Sequence, residues 1–321
     1  MSKQIEQFES LIGKSVKTDE PLAKYTTFKI GGPAKYFFIA NDNEDLVRAV
    51  TFAKKVKLPF YVLAGCSNVL VSDSGFNGLL ILNTTKDIIF KPDNKVVVDA
   101  GVKLYDLLNQ TIAKDLTGLE WSAGIPGTVG GAVRGNAGAY GGQMADNLTG
   151  CEVMRGAKQF VINKDKCEFK YRDSIFKHNS DLIITAEFQL QPGDKKKSEE
   201  KIKQILSERK EKQPLEYPSA GCVFKNVVIN SSNEDAAKQI INLPKEFLEW
   251  KKIPTAWLID SLELKGKTIG QAQISAKHAN FIVNLGQATA NDVMQLISYV
   301  KMKVRNELGL QLHEEIEYVG F

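Results

Sequence analysis

Four stretches of the chain carry groups suited to chemistry. In "SAGCVFKN", residues 219–226, the Cys222 thiol follows Ala-Gly and precedes a Val-Phe-Lys run. A thiol there can be a small buried hydrophobe, a redox group or a proton donor, and the stretch alone leaves all three open. In "YRDS", residues 171–174, Arg172 offers the planar fork that grips a carboxylate or phosphate through two hydrogen bonds, or else a surface ion pair. "LHEEIEYVG", residues 312–320, gathers Glu314, Glu315 and Glu317. Read as a strand, it puts Glu315 and Glu317 on one face and Glu314 on the other, as functional carboxylates or as a solvated terminal strand. The fourth, "GIPGTVGGAVRGNAGAYGG", has glycine at 8 of the 19 positions from Gly124 to Gly142. Its spacing from Gly124 to Gly131, G-x-x-G-x-x-G-G, is not the G-x-G-x-x-G dinucleotide fingerprint. Such a segment lets backbone N–H groups approach an anion or a planar cofactor closely, or else forms tight structural turns.

Other patterns carry less. "LAGCSNVLVSDSGFNG", residues 63–78, could offer Ser67, Asn68 and backbone donors to a pyrophosphate, but alone it reads as an Asx or Ser turn between strands. The "GKT" at 266–268 is not a P-loop, because the glycine required five positions before Gly266 is Ser261. His178, His278 and His313 are too scattered for a metal centre or a Ser-His-Asp arrangement, and Cys66, Cys151, Cys167 and Cys222 form no C-x-x-C pair.

The elements that must position these residues mix both types. "KYFFIA", "FYVLAG", "NGLLILN" and "NKVVVDAG" read as strands, and "NEDLVRAVTFAKKVKLP" and "LYDLLNQTIAKDL" as amphipathic helices. Further strands are expected at "CEVMRG", "KQFVINK" and "IITAEFQLQ", followed by a solvated charged helix up to Gln213-Pro214 that marks a domain boundary. Residues 1–20 read as a short amphipathic lead-in, and "NSSNEDAAKQ" as a polar stretch. In "NDVMQLISYVKMKVRNELG", Val293, Leu296, Ile297, Val300, Val304 and Leu308 form one helical stripe between Asp292 and Gly309. The class is therefore α/β or α+β.

The 321 residues, 43% hydrophobic and 25% charged, suit about two or three domains of a soluble protein. A net charge of +4 does not point to nucleic acid. The N-terminal stretch lacks an apolar core for a signal peptide, and no run of about 18 apolar residues suggests a membrane span. The expected compartment is the reducing cytoplasm, with the cysteines as thiols.

Taken in order, "YTTFKIGGPA", "AGCSNVLVSDSGF", "AGIPGTVGGAVRGNAGAYGG", "YRDS", "SAGCVFKN", "ISAKHANFIVN" and "LHEEIEYVG" resemble the UDP-N-acetylenolpyruvoylglucosamine reductase family from about residue 20 to 320. The resemblance implies an α+β protein in which two subdomains, 1–84 and 85–213, hold FAD noncovalently in a fold of the vanillyl-alcohol oxidase (PCMH) type. A C-terminal α+β domain, 214–321, closes over substrate. It implies a monomer that uses NADPH to reduce FAD and then reduces the enolpyruvyl ether of UDP-N-acetylglucosamine-enolpyruvate to a lactyl ether. The cofactor residues it implies are Gly65, Cys66, Ser67, Asn68, Ala123, Gly124, Ile125, Pro126, Gly127, Gly130 and Gly131, with Asn136, Ala137 and Gly138 also expected to reach it. Lys212 and Asn226 match positions expected to touch the UDP portion or the nicotinamide cofactor, and Tyr171 is a further expected substrate contact.

The resemblance also assigns the chemistry. Hydride reaches the terminal enolpyruvyl carbon, charge develops on the neighbouring carbon and its carboxylate, and Arg172 and Glu315 match the groups that stabilise it. The carbanion then needs an acid. Most members carry serine where this chain has Cys222; a thiol, with an ordinary pKa of about 8.5, is mainly protonated near neutrality and can do the same step. Two further departures are the long segment 227–254 and the absence of proline after Asn226. A related FAD-dependent alcohol or hydroxy-acid oxidase is the first alternative, although no histidine precedes His178 to tether flavin. A catalytically inactive nucleotide-sugar binding homologue is the second.

Overall fold

The computed structural model describes residues 3–321, which divide into two units. The first comprises residues 3–20, 34–66 and 77–209, and the second residues 21–33, 67–76 and 210–321. Two short segments from the N-terminal part of the chain thus fold with the C-terminal part.

Among the described residues, the first unit holds two two-stranded sheets and two larger ones. One is four-stranded, in the order Lys17–Pro21, Pro33–Ala40, Phe76–Asn83, Phe60–Leu63, its last two strands parallel with Phe60 opposite Leu79. Residues 64–75 join the two parallel strands, and Pro33–Ala40 leads to Phe60–Leu63 through the helix Asn43–Lys55. Asp42 caps it by accepting from the Asp45 N–H at 2.8 Å, Glu44 and Asp45 occupy its first turn and Lys54 and Lys55 its last, each sign suiting the helix dipole. Leu46, Ala49, Val50 and Ala53 face the core, where the lead-in also contributes a helix, Lys3–Ile12, through Ile5, Phe8 and Ile12.

The second sheet is antiparallel, in the order Lys158–Asn163, Leu148–Arg155, Leu182–Gln189, Lys95–Asp99, Ile88–Lys91. Its core holds Val98, Val153, Ile162, Ala186 and Phe188. The charged helix Lys195–Lys212 buries little beyond Ser198 and Ile205. It is anchored by the Ser198 hydroxyl, which donates to Glu120 at 2.5 Å. Burial pushes the Glu120 carboxyl up, but hydrogen bonds from Ser198, Thr117 and Gly118 outweigh this and hold it below the usual carboxylate range.

The second unit is built on the antiparallel sheet Ser219–Cys222, Phe281–Asn284, Ala272–Ile274, Thr268–Ile269 and the helix Ala290–Leu308. Of the expected stripe, Val293, Leu296, Ile297, Val300 and Val304 are buried and Leu308 is half-buried, and Gly309 closes the helix at φ +67°. At its start Thr289 and Asp292 form a capping box, and the Asp73 carboxylate accepts from the Ala290 and Asn291 N–H groups at 2.7 and 3.0 Å. A cap of this kind contributes about 1 kcal/mol, here supplied by a segment more than two hundred residues away in sequence. Gly75 in that segment, at φ +78°, has no room for a side chain, since a Cβ would lie 1.8 Å from the Pro33 carbonyl oxygen.

Three local expectations are corrected. The Gly-rich segment contains the helix Val129–Arg134, because Val129, Ala132 and Val133 recur at helical spacing and are buried despite the poor propensity of their glycine neighbours. The polar stretch contains the helix Glu234–Gln239, and 227–254 as a whole is a closed excursion. Val227–Val228 pairs with Lys252–Ile253, and Ala237, Ile240 and Phe247 join the core of the unit. The last strand, Glu317–Val319, begins after Glu314 and Glu315, because residue 314 pairs instead with Phe224 in an isolated bridge. Among the described residues, no helix is long and apolar enough to cross a membrane.

Candidate active site

In the first unit, close backbone contact joins the two glycine-bearing loops. A Cβ on Gly65 would lie 2.6 Å from the Gly127 Cα, so "AGC" and "GIPG" meet backbone to backbone. Gly124 and Gly127 hold φ values of +71° and +124°, and Cys66 is also left-handed at +48°. Gly130 serves packing: a Cβ there would meet the Ala100 Cβ at 2.7 Å, while its N–H donates to the Ala100 carbonyl at 2.9 Å. Gly131 is open, with nothing nearer than 3.7 Å to a built Cβ. Beside it, the buried Thr128 hydroxyl has no hydrogen-bond partner among the described residues. A buried hydroxyl without a partner is costly, so this segment is suited to receiving a polar group from a ligand. Ala123 is buried, Ile125 is half-buried, and Gly124 and Pro126 reach solvent. Gly124 lies under Arg209 and Leu206, whose side-chain atoms would come within 3.0 Å of a Cβ.

Arg172 is fastened to the same segment. Its Nη2 donates to the Gly138 carbonyl at 2.6 Å, its guanidinium lies 5.4 Å from the Tyr171 ring, and its backbone is left-handed at φ +54°. Two neighbouring bonds repeat the connection: the Asn136 amide donates to the Lys170 carbonyl at 2.9 Å, and the Ser174 hydroxyl to the Arg134 carbonyl at 2.7 Å. Asn136 also donates to Gln143 and accepts from the Ala145 N–H, and it is 2% exposed. Its side chain thereby helps to hold the loop. Ala137 and Gly138, half-buried, lie on the stretch so held.

In the second unit Cys222 ends the strand Ser219–Cys222 opposite Phe281 and is half-buried. Immediately after it, the Val223 carbonyl accepts from the Glu315 N–H at 2.7 Å, and the Lys225 N–H donates to the His313 carbonyl at 2.9 Å. The thiol-bearing strand and the carboxylate-bearing segment are therefore neighbours through their backbones. Glu314 is drawn into an ion pair with Lys301 at 2.8 Å. Its half-buried neighbour Glu315 has its carbonyl held by the Asn68 amide at 3.0 Å. Ser67 and Asn68 lead into the strand Val69–Val71, which runs parallel to Glu317–Val319. Asn226 accepts the Thr255 N–H with its side-chain oxygen at 3.2 Å, so part of its role is to start the helix Thr255–Ser261. Lys212 is exposed at the end of its helix, and Tyr171 is half-buried.

The residue-type reading missed Asn280. It is 3% exposed, brackets Phe224 by accepting its N–H at 3.0 Å and donating to its carbonyl at 2.8 Å, and so fixes the stretch after Cys222. The signal was present: an asparagine leading an apolar strand needs partners inside. Cys66 is different in kind from Cys222, because burial pushes its thiol up to about 12, so it stays protonated and unreactive.

Comparison with known proteins bears on the whole chain. Residues 34–159 match the FAD binding domain family, and residues 213–319 match the family described as UDP-N-acetylenolpyruvoylglucosamine reductase, C-terminal domain. The UDP-N-acetylenolpyruvoylglucosamine reductase of Pseudothermotoga lettingae is 37% identical, covering 94% of this chain and 97% of its own length. That of Clostridium novyi is 34% identical, covering 98% of this chain and 95% of its own length. The crystal structure of the Thermus caldophilus UDP-N-acetylenolpyruvylglucosamine reductase superposes with a TM-score of 0.75 at 33% identity, over 95% of this chain and 98% of that one. With similarity that spans both units and every motif described above, the chain belongs to the UDP-N-acetylenolpyruvoylglucosamine reductase family.

Proposed function

We propose that the chain is an FAD-dependent reductase that consumes NADPH and converts UDP-N-acetylglucosamine-enolpyruvate to UDP-N-acetylmuramate, in the cytoplasm and as a monomer. The observation that carries this reading is the 34–37% identity to such reductases over at least 94% of the chain. We adopt 1–84 and 85–213 as the two FAD-binding subdomains, of the vanillyl-alcohol oxidase type, and 214–321 as the substrate domain.

The glycine segment fits FAD: it presents open backbone at Gly131, a buried unpartnered hydroxyl at Thr128 and left-handed turns at Gly124 and Gly127. Gly65, Cys66, Ser67 and residues 123–131 would hold the cofactor, with Ala137 and Gly138 beside them. When bound, FAD would supply hydride transfer from NADPH to the enolpyruvyl carbon–carbon double bond. The Arg172 guanidinium, its direction set by Gly138, and the Glu315 carboxyl stabilise the enediolate charge that this delivery places on the substrate carboxylate. Cys222 then gives its Sγ proton to the substrate carbanion and is reprotonated from solvent. Per turnover one NADPH and one proton are consumed, and one C–H bond forms at each carbon of the former double bond. Tyr171 would contact the substrate, and Lys212 and Asn226 the UDP portion or the nicotinamide cofactor.

Purified protein loaded with FAD is expected to oxidise NADPH in a strictly enolpyruvyl-dependent manner. An enzyme that binds FAD but shows no such dependence refutes the reading. Gly65→Ala is expected to lower flavin retention by at least tenfold, because the new methyl forces the two loops apart. The flavin-to-protein absorbance ratio after gel filtration measures it.

A further inference from the structure

We infer that Asn68 is a positioning residue for Glu315, rather than only a residue of the cofactor loop. The inference rests on the proposed role of the Glu315 carboxyl. Glu315 lies between two pairings: residue 314 bridges to Phe224 on one side, and the parallel ladder with Val69–Val71 begins only at Glu317. Between them the backbone of residue 315 is held from both directions. Its N–H donates to the Val223 carbonyl at 2.7 Å, next to Cys222, and its carbonyl accepts the Asn68 Nδ2 at 3.0 Å. The Glu317 N–H returns the contact by donating to the Asn68 backbone carbonyl at 2.9 Å. A side-chain amide thus stands where the strand ladder has no rung, and it fixes the Cα from which the Glu315 carboxyl projects.

The bond demands a donor of asparagine length. Aspartate would set a carboxylate against the Glu315 carbonyl, and leucine would leave that half-buried carbonyl without this donor. Loosening residue 315 moves the carboxyl relative to the strand that carries Cys222, and small displacements of catalytic groups cost rate steeply. Asn68 would then act through Glu315, and its effect must disappear once the Glu315 carboxyl is removed.

The test uses the full-length FAD enzyme with Asn68→Asp, Asn68→Leu and Asn68→Ser, each alone and combined with Glu315→Ala. Turnover is read at saturating FAD, NADPH and enolpyruvyl substrate. The single Asp and Leu variants are expected to lose about tenfold to a hundredfold in kcat, with smaller changes in KM. Asn68→Ser, which keeps a donor, is expected to fall between them and the parent. In the Glu315→Ala background the Asn68 substitutions are expected to cost less than about twofold more. If the losses instead multiply, or if the variants reach parental kcat and differ only in the FAD concentration they need, Asn68 acts on the cofactor and the inference is wrong. A variant that fails to fold is replaced by Asn68→Ser, for which the same double-variant comparison decides. A parent enzyme inert toward the enolpyruvyl substrate would overturn the proposed function itself, an outcome distinct from active parents with multiplying losses.

Discussion

Cys222→Ala is expected to lose about 10²–10⁴-fold in turnover with the enolpyruvyl substrate, the usual worth of a general acid. Cys222→Ser is expected to keep substantial activity, since a hydroxyl fills the same space and can donate the same proton. Reduction of bound FAD by NADPH should survive in both, because no proton from residue 222 enters that half-reaction. Stopped-flow separation of the two half-reactions makes the measurement: the alanine variant should bleach flavin with NADPH and then fail to recover its absorbance with substrate. Normal recovery in Cys222→Ala would end the proton-donor assignment. The structure makes thiol chemistry selective as well. Cys66, Cys151 and Cys167 are buried, whereas Cys222 is half-buried at a strand end. A thiol-alkylating reagent should therefore inactivate the parent and spare Cys222→Ser.

Arg172→Ala is expected to cost about 10²–10³-fold in the same half-reaction, the loss found when a fixed donor to developing charge is removed. Arg172→Lys should recover only part of it. The guanidinium donates to the Gly138 carbonyl through Nη2 at 2.6 Å and lies over the Tyr171 ring, and both contacts fix its orientation. An ammonium ion keeps the charge but has no planar fork to divide between two acceptors. The prediction is checked by kcat at saturating substrate, with the flavin spectrum showing that FAD remains bound. A lysine variant at parental rate would mean that charge alone, without orientation, is enough. Single-turnover recovery of flavin absorbance separates an Arg172 effect on chemistry from one on substrate affinity.

Much of this protein is legible in its local chemistry. Residues 290–308 announce a helix because apolar side chains recur on one stripe, and that stripe is what the core of the second unit buries. The runs at 148–155 and 158–163 announce strands and pair as neighbours in register. Residue types suited to stabilising and protonating a carbanion stand at 172, 222 and 315, and the order of short motifs around them points to one family. The helix Val129–Arg134 was hidden because glycine propensity masks three buried positions.

What the tertiary structure decided is how distant segments are fastened. Asn68 meets Glu315 across 247 residues, Asp73 caps a helix 217 residues away, and Asn136 holds Lys170 across 34. The segments 21–33 and 67–76 fold with the C-terminal unit, and Gly65 meets Gly127 because neither has a Cβ. Periodicity and composition record which side of a local element faces a core, and so they determine helices, strands and candidate residue types. A hydrogen bond between two polar side chains or backbones far apart in sequence leaves no periodic mark. It exists only once the cores have folded and brought the groups to within about 3 Å, and it is at that stage that a loop asparagine becomes a support for a carboxylate.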